Sequence, residues 1–510
     1  MQGIDTKLSE TKTLFKIPSY EWKKVLPLLL MKFLVTLNFC VLFSTKDTLV
    51  VTATGAEAIP ILKGWIVLPS AFLATLFISK CSNKLSKTRL YYAILLPFMA
   101  FFLLYGFVLH PFQEALTPHQ SADALASFLG ENRQHWVSVY RYWMNSLFFV
   151  CAELWGGLAI GMLFWGFANE LSQVADARKY YASYSAFGHI ATLLTGPVLV
   201  FFTQYLAPND FTLSIRYLML LCASICIILM AIIHWCERNV LTDSRLYTKE
   251  QQQRLKKEKP KLSLFQSLRY LCKSKYLGFL AILVLSYGLA FNMIEVTWKA
   301  NIKLLYPNPS DYQSFMGVVT SAIGFTALAS TIFASITLRY FSWRCTALVT
   351  PLIVGITGIS FFLAFTEQDL LSSFTTMLGI TPLALVVFLG AAQNSLTKAA
   401  KYTFFDTSKE IAYIPLDAES KVKGKAAIDV VAARLGKSGS SWIQIILIDV
   451  AGAGSVLGIT HLLFPFVIIT LAMWIYSVFR LGTLFSETQK ENSQEEIISE
   501  ANPLIQKASA

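Results

Sequence analysis

Twelve stretches of about twenty mostly apolar residues recur along this chain, and no other property restricts its fold as strongly. They cover 25–44, 59–79, 90–109, 137–167, 182–206, 215–236, 277–298, 314–338, 344–366, 380–404, 424–450 and 456–480, the eleventh being the least apolar in character. A helix of that length matches the hydrocarbon thickness of a bilayer. Lipid offers no water to backbone N–H and C=O groups, so each stretch must satisfy them internally as a helix. The expected fold is an all-α membrane protein with twelve transmembrane helices. Charged residues make up 15% of the chain, against roughly 25% in soluble domains. The eight cysteines fall mostly within apolar stretches without CxxC spacing, which argues against a disulfide framework or a metal cluster.

The net charge of +12 is placed unevenly: residues 237–276 hold eleven Lys/Arg against Glu237, Asp243, Glu250 and Glu258. Such a segment is expected on the cytoplasmic side. Counting outward, the basic 80–89 also falls inside, while 110–135, with Glu114, Asp123, Glu131 and a single Arg133, falls outside. Both termini are then cytoplasmic. The predicted order is a cytoplasmic segment 1–24, a six-helix half 25–236, a basic linker 237–276 with an amphipathic piece at 262–272, a second half 277–480, and a tail 481–510. This is a major-facilitator-like layout, in which two halves rock about a midplane site lined by the first and fourth helices of each. Residues 1–24 mix acids with bases and lack a cleavage site, reading as neither signal nor transit peptide.

Ionisable groups at membrane depth are costly and need a partner or a wet cavity. Span 4 puts Glu153 near its centre, beside Gly156, Gly157 and Gly161, and Arg141 near its start. Span 7 carries Asn292, Glu295 and Lys299, and the i, i+4 pair fits either a helix-end ion pair or a pathway charge. Lys32 interrupts span 1 and could snorkel to the interface. Lys46 follows that span's outer end and could pair with Asp47, while Lys63 enters span 2. Span 10 bears a polar stripe of Asn394, Thr397, Lys398 and Lys401, and span 11 holds Asp429, Arg434 and Lys437, with Asp429 and Lys437 on one face.

An interior with several cations and few acids suits a polyanion, and phosphates are the obvious candidates. The fragment GKS at 436–438 is not a Walker loop, because Val431 stands where the pattern needs glycine. A nucleotide-hydrolysing enzyme would need that loop, a soluble catalytic domain or a metal-ligand cluster, so a transporter is expected. No cofactor, metal or nucleic acid is called for. The expected partners are the transported ligand and membrane lipid, with the monomer as functional unit. Trp65, Tyr140, Trp143, Trp155 and Trp165 could stack on a base, although interfacial belts and core packing account for most such residues.

Four stretches carry a resemblance: KDTLVVTATGAEAIPILKGW (46–65), AELWGGLAIGMLFWGFANE (152–170), NMIEVTWK (292–299) and the long run from 392 to 439 containing LGKSG. In them the chain resembles the nucleotide transporters, or ATP/ADP translocases, of obligate intracellular bacteria such as Chlamydia and Rickettsia and of plastids. The resemblance implies exchange of surrounding-cell ATP for ADP, and a role in transport for Lys63, Glu153, Glu295 and Lys437. Many members have GKSGG where this chain has GKSGSS. The family also includes proton-coupled nucleotide importers, which leaves net import as the alternative. Without a transit peptide, a bacterial inner membrane is expected over a plastid envelope. Lys63 and Lys437, one from each half, are expected to neutralise the phosphates, and an empty site would set like charges against each other.

Overall fold

The computed structural model describes residues 20–172, 174–208, 210–243, 274–416, 424–425 and 427–508. Most of the basic linker, its expected amphipathic piece at 262–272, Cys272 and the first 19 residues lie outside that range. The described residues form helices and no strand. Among the described residues, eleven helices are long and apolar enough to cross a membrane: α1 Trp22–Thr54, α2 Ala58–Ser82, α3 Thr88–Leu109, α4 Trp143–Leu171, α5 Lys179–Leu206, α6 Phe211–Asn239, α7 Lys275–Leu305, α8 Pro309–Thr331, α9 Trp343–Thr366, α10 Pro382–Ala412 and α12 Thr460–Glu491. The twelfth, α11 Ala433–Ala451, is more polar. It packs along α7, where Gly288 and Gly436 let the backbones meet: a Cβ on Gly288 would stand 2.9 Å from Gly436 Cα. Helix–helix approach this close is the membrane use of small residues.

One end of the bundle carries the connections 110–142 and 367–381 and is called the loop face; the other carries the connection between α6 and α7 and is called the linker face. Several helix starts are capped by a side chain, as where Asp210 Oδ1 accepts from Leu213 N at 2.8 Å and Thr381 Oγ1 from Ala384 N at 3.1 Å. Each cap satisfies a backbone donor that lipid would leave bare.

Two apolar cores follow the two sets of six helices. One gathers α1–α6, with Ile78 from α2, around Phe98, Phe102, Phe148 and Trp155. The other gathers α7–α12 around Tyr287, Trp298 and Trp474, and takes in Val50, Ile59, Leu62 and Phe149 from the first set. The loop-face ends of α1, α2 and α4 are therefore packed into the second core. Polar contacts add to that seam: Ser44 and Thr320 hydroxyls at 3.2 Å, Gln313 Nε2 to Thr45 Oγ1 at 2.9 Å, and Thr203 to Ser314 at 2.8 Å. At Gly196 the seam is tight, since a Cβ there would meet Gly317 O at 2.5 Å.

The first helix runs well past the apolar stretch 25–44, reaching Thr54. Lys46 and Asp47 therefore sit inside the span and not beyond its end. Both are wholly buried and find partners on other helices, and the uncharged TLVVTAT run that follows continues the helix to Thr54.

Candidate functional site

Six-residue and longer π-helical segments interrupt the helices where the charges stand. Lys63 lies within Leu62–Val67, Glu153 just before Gly156–Trp165, and Asp429 within Ala427–Ala432, while Lys401 opens the shorter Lys401–Phe405. Such wide turns release the regular i to i−4 ladder and recur at functional sites.

The charges converge on one cluster at the junction of the halves. Lys46 Nζ stands 2.9 Å from Asp47 Oδ1 and 3.1 Å from Glu153 Oε1. Lys299 Nζ stands 2.8 Å from Asp47 Oδ2 and 3.3 Å from Glu295 Oε1. Glu295 also takes Lys63 at 3.3 Å and Lys398 at 3.8 Å, and Lys63 donates to Asn292 Oδ1 at 2.9 Å. Four lysines thus face three carboxylates, leaving one positive charge in excess. The contributing helices are α1, α4, α7 and α10, as the layout predicts, with α2 in addition.

Burial grades across the cluster. Lys46, Asp47 and Lys299 are fully enclosed, whereas Glu153 and Lys398 each keep 18% exposure. The cluster has a dry floor and a reachable rim. Removing one member of such a buried network strands the others, at a cost of about 3–5 kcal/mol.

Phe43 organises the ammonium groups. Between Leu34 and Val51 only Phe39 and Phe43 of α1 are not buried, and Lys46, Lys398 and Lys299 stand 4.0, 5.2 and 5.5 Å from the Phe43 ring centroid. The ring's negative face helps to hold three like charges near one another.

The remaining candidates lie elsewhere. Lys437 and Arg434 are exposed on α11, and Lys437 is near enough to act electrostatically on Glu153 without pairing with it. Asp429 is bonded to Lys409 at 2.7 Å and not to Lys437, and Lys401 to Asp406 at 2.8 Å. Arg141 pairs with Asp123 at the loop face, away from the cluster. Asn394 is fully buried one turn before Lys398, and its amide has no hydrogen-bond partner among the described residues. Of the aromatics, Trp155 is buried edge-on against Phe98, whereas Trp65, Tyr140 and Trp143 are exposed.

Asp47 and Phe43 were not singled out by sequence. Asp47 reads as a local partner of its neighbour. A signal was available: with the helix extended by ten residues, both charges fall at membrane depth, where neither could be an ordinary surface pair.

The sequence matches the TLC ATP/ADP transporter family over residues 3–485. This chain belongs to that family. It is 41% identical to ADP,ATP carrier protein 1 of Chlamydia muridarum, over 97% of this chain and 94% of that protein. It is 35% identical to ADP,ATP carrier protein 1 of Rickettsia prowazekii, over 95% of this chain and 97% of that protein. The chloroplastic ADP,ATP carrier protein 1 of Arabidopsis thaliana is also 35% identical, over 98% of this chain and 80% of that protein. Among solved structures, a bacterial homologue of the iron transporter ferroportin in an inward-facing state matches with a TM-score of 0.56 at 14% identity, over 92% of this chain and 99% of that one. A D-xylose-proton symporter matches at 0.51 and 16% identity, over 89% and 98%. These distant likenesses place the TLC transporter's fold with the major-facilitator-like carriers.

Proposed function

We propose that this protein exchanges ATP for ADP across a bacterial inner membrane by alternating access, taking up ATP from the surrounding cell and returning ADP. The observation that carries this reading is the cluster of four lysines and three carboxylates between the halves of a TLC transporter. The linker face is assigned to the cytoplasm, from the excess of Lys/Arg in residues 237–276.

Each lysine of the cluster has a carboxylate partner, so ion pairing, two of the bonds crossing between the halves, and not repulsion among cations, holds the cluster together. Lys63 reaches Glu295 and Lys299 reaches Asp47, each bond crossing from one half to the other. A triphosphate or diphosphate offers these lysines alternative partners. Once Lys63 and Lys299 turn to phosphate oxygens, the two inter-half bonds weaken and the loop face can part. An empty carrier lacks that exchange of partners and stays shut, which makes transport an obligate exchange. ATP carries about one more negative charge than ADP at neutral pH, so each cycle moves net charge.

The test is uptake of labelled ATP into liposomes containing the purified protein. Uptake should depend on internal ADP and persist with an uncoupler. Uptake that needs no internal nucleotide and collapses with the uncoupler would replace exchange by proton-driven import.

A further inference from the structure

Fourteen residues before Lys46, and roughly 21 Å along the same helix, α1 carries a lysine that the central cluster does not use. Lys32 does not snorkel: it is 9% exposed within the span. Its Nζ lies over two rings of α4, 5.0 Å from the centroid of Phe164 and 5.2 Å from that of Trp165. Among the described residues no carboxylate pairs with it. One turn along, Thr36 is also buried, and its hydroxyl has no hydrogen-bond partner among the described residues.

The space around these two groups is shaped by a glycine. A Cβ on Gly188 of α5 would stand 2.9 Å from Lys32 Cε and 3.5 Å from Thr36 Oγ1, so any other residue there would press on Lys32 and touch Thr36 in ordinary contact. The next residue, His189, has its ring 6.0 Å from that of Tyr402 on α10. The pocket therefore borders the junction of the halves. Two aromatic faces recover only part of what an ammonium loses on leaving water. What the pocket lacks is an acceptor bearing negative charge, because an ammonium and a hydroxyl can both donate to one oxyanion.

We infer that Lys32 and Thr36, framed by Phe164, Trp165 and Gly188, form a second anion station that takes phosphoryl oxygens of a nucleotide on the linker-face side of the central cluster. The inference rests on the reading of nucleotides as cargo. A nucleotide entering from the linker face meets this ammonium before it reaches the four clustered lysines deeper in. Lys32 thus governs capture from one side only.

The experiment uses liposomes containing the full chain in known orientation, with nucleotide varied separately on each side. Lys32→Met should raise the half-saturating ADP concentration on the linker-face side about tenfold and leave that for ATP on the loop-face side within about twofold. Lys32→Arg should keep most of the wild-type affinity. An equal rise on both sides would put Lys32 in the central site, and no change on either side would make the aromatic box mere packing; either overturns the inference. A second readout is free of transport: the fluorescence of Trp165, isolated as the difference between wild type and Trp165→Phe, should respond to ADP in the detergent-purified protein. Thr36→Val, which leaves Lys32 in place, should weaken that response. A wild-type protein whose Trp165 signal ignores ADP and inorganic phosphate overturns the station. A signal that responds while liposomes fail to exchange nucleotide would instead leave the station standing and remove the exchange reading.

Discussion

Lys63 Nζ stands 3.3 Å from Glu295 Oε2 and 2.9 Å from Asn292 Oδ1, so one side chain of α2 grips two residues of α7 across the junction of the halves. Lys63→Ala removes both bonds and the proposed phosphate ligand at once. Glu295→Gln strips a charge partner from Lys63, Lys299 and Lys398 together. Each variant should lower nucleotide exchange in liposomes by more than about tenfold, equivalent to about 1.4 kcal/mol in the transport barrier. Wild-type rates in either one, at equal amounts of inserted protein, would remove this bond from the mechanism.

Asp47 separates two lysines, with one carboxylate oxygen 2.9 Å from Lys46 and the other 2.8 Å from Lys299. Asp47→Asn keeps the shape and deletes the charge, so two ammonium groups on the dry floor face each other. The expected loss of stability is about 3–5 kcal/mol, read as a lower melting temperature in detergent. A polyanion supplies the missing charge, so added ATP should raise the melting temperature of Asp47→Asn more than that of the wild type. Equal responses to ATP would show that the nucleotide does not reach this floor.

The membrane fold is legible because hydropathy reports burial in lipid directly, and Glu153 and Lys63 stand out because charge at membrane depth has few innocent explanations. By spacing the Glu295–Lys299 pair fits a helix-end ion pair or a pathway charge, and the structure joins the two: Lys299 pairs with Glu295 one turn away and with Asp47 of the other half. What sequence could not give was partnership across helices. Asp429 and Lys437 share a face by spacing, yet the π-helical segment Ala427–Ala432 shifts that register and Asp429 goes to Lys409. Lys32 looked like a snorkelling residue because its two aromatic partners lie 132 and 133 positions away.

Gly196 and Gly317 bring α5 and α8 into backbone contact in the seam between the halves. Gly196→Ala would set a methyl group 2.5 Å from Gly317 O, a distance no Cβ tolerates. The packing seen here has to part at that point, while a conformation with the loop face open need not. The substitution should shift the population toward the open loop face. A probe cysteine placed by Ser314→Cys, whose wild-type hydroxyl meets Thr203 at 2.8 Å, should then react faster with a thiol reagent. Unchanged reactivity would mean that α5 and α8 accommodate the methyl group without parting.

His135 closes the loop face from the other side: on the short helix Gln134–Arg141, its Nε2 stands 3.1 Å from Asp449 Oδ1 of α11. Burial lowers its pKa below the ordinary 6.5, Asp449 opposes that shift without cancelling it, and Arg133 adds to it. The closed loop face therefore holds a proton on this residue less readily than an open one, where His135 meets water. Its contribution to closure is complete above about pH 6.5 and is lost as pH falls through the lowered value. Acidifying the loop-face side should speed labelling of the same Ser314→Cys probe, and His135→Asn should flatten that pH dependence. If labelling slowed on acidification, the ion pair with Asp449 would outweigh the burial of His135, and protonation would tighten the seam.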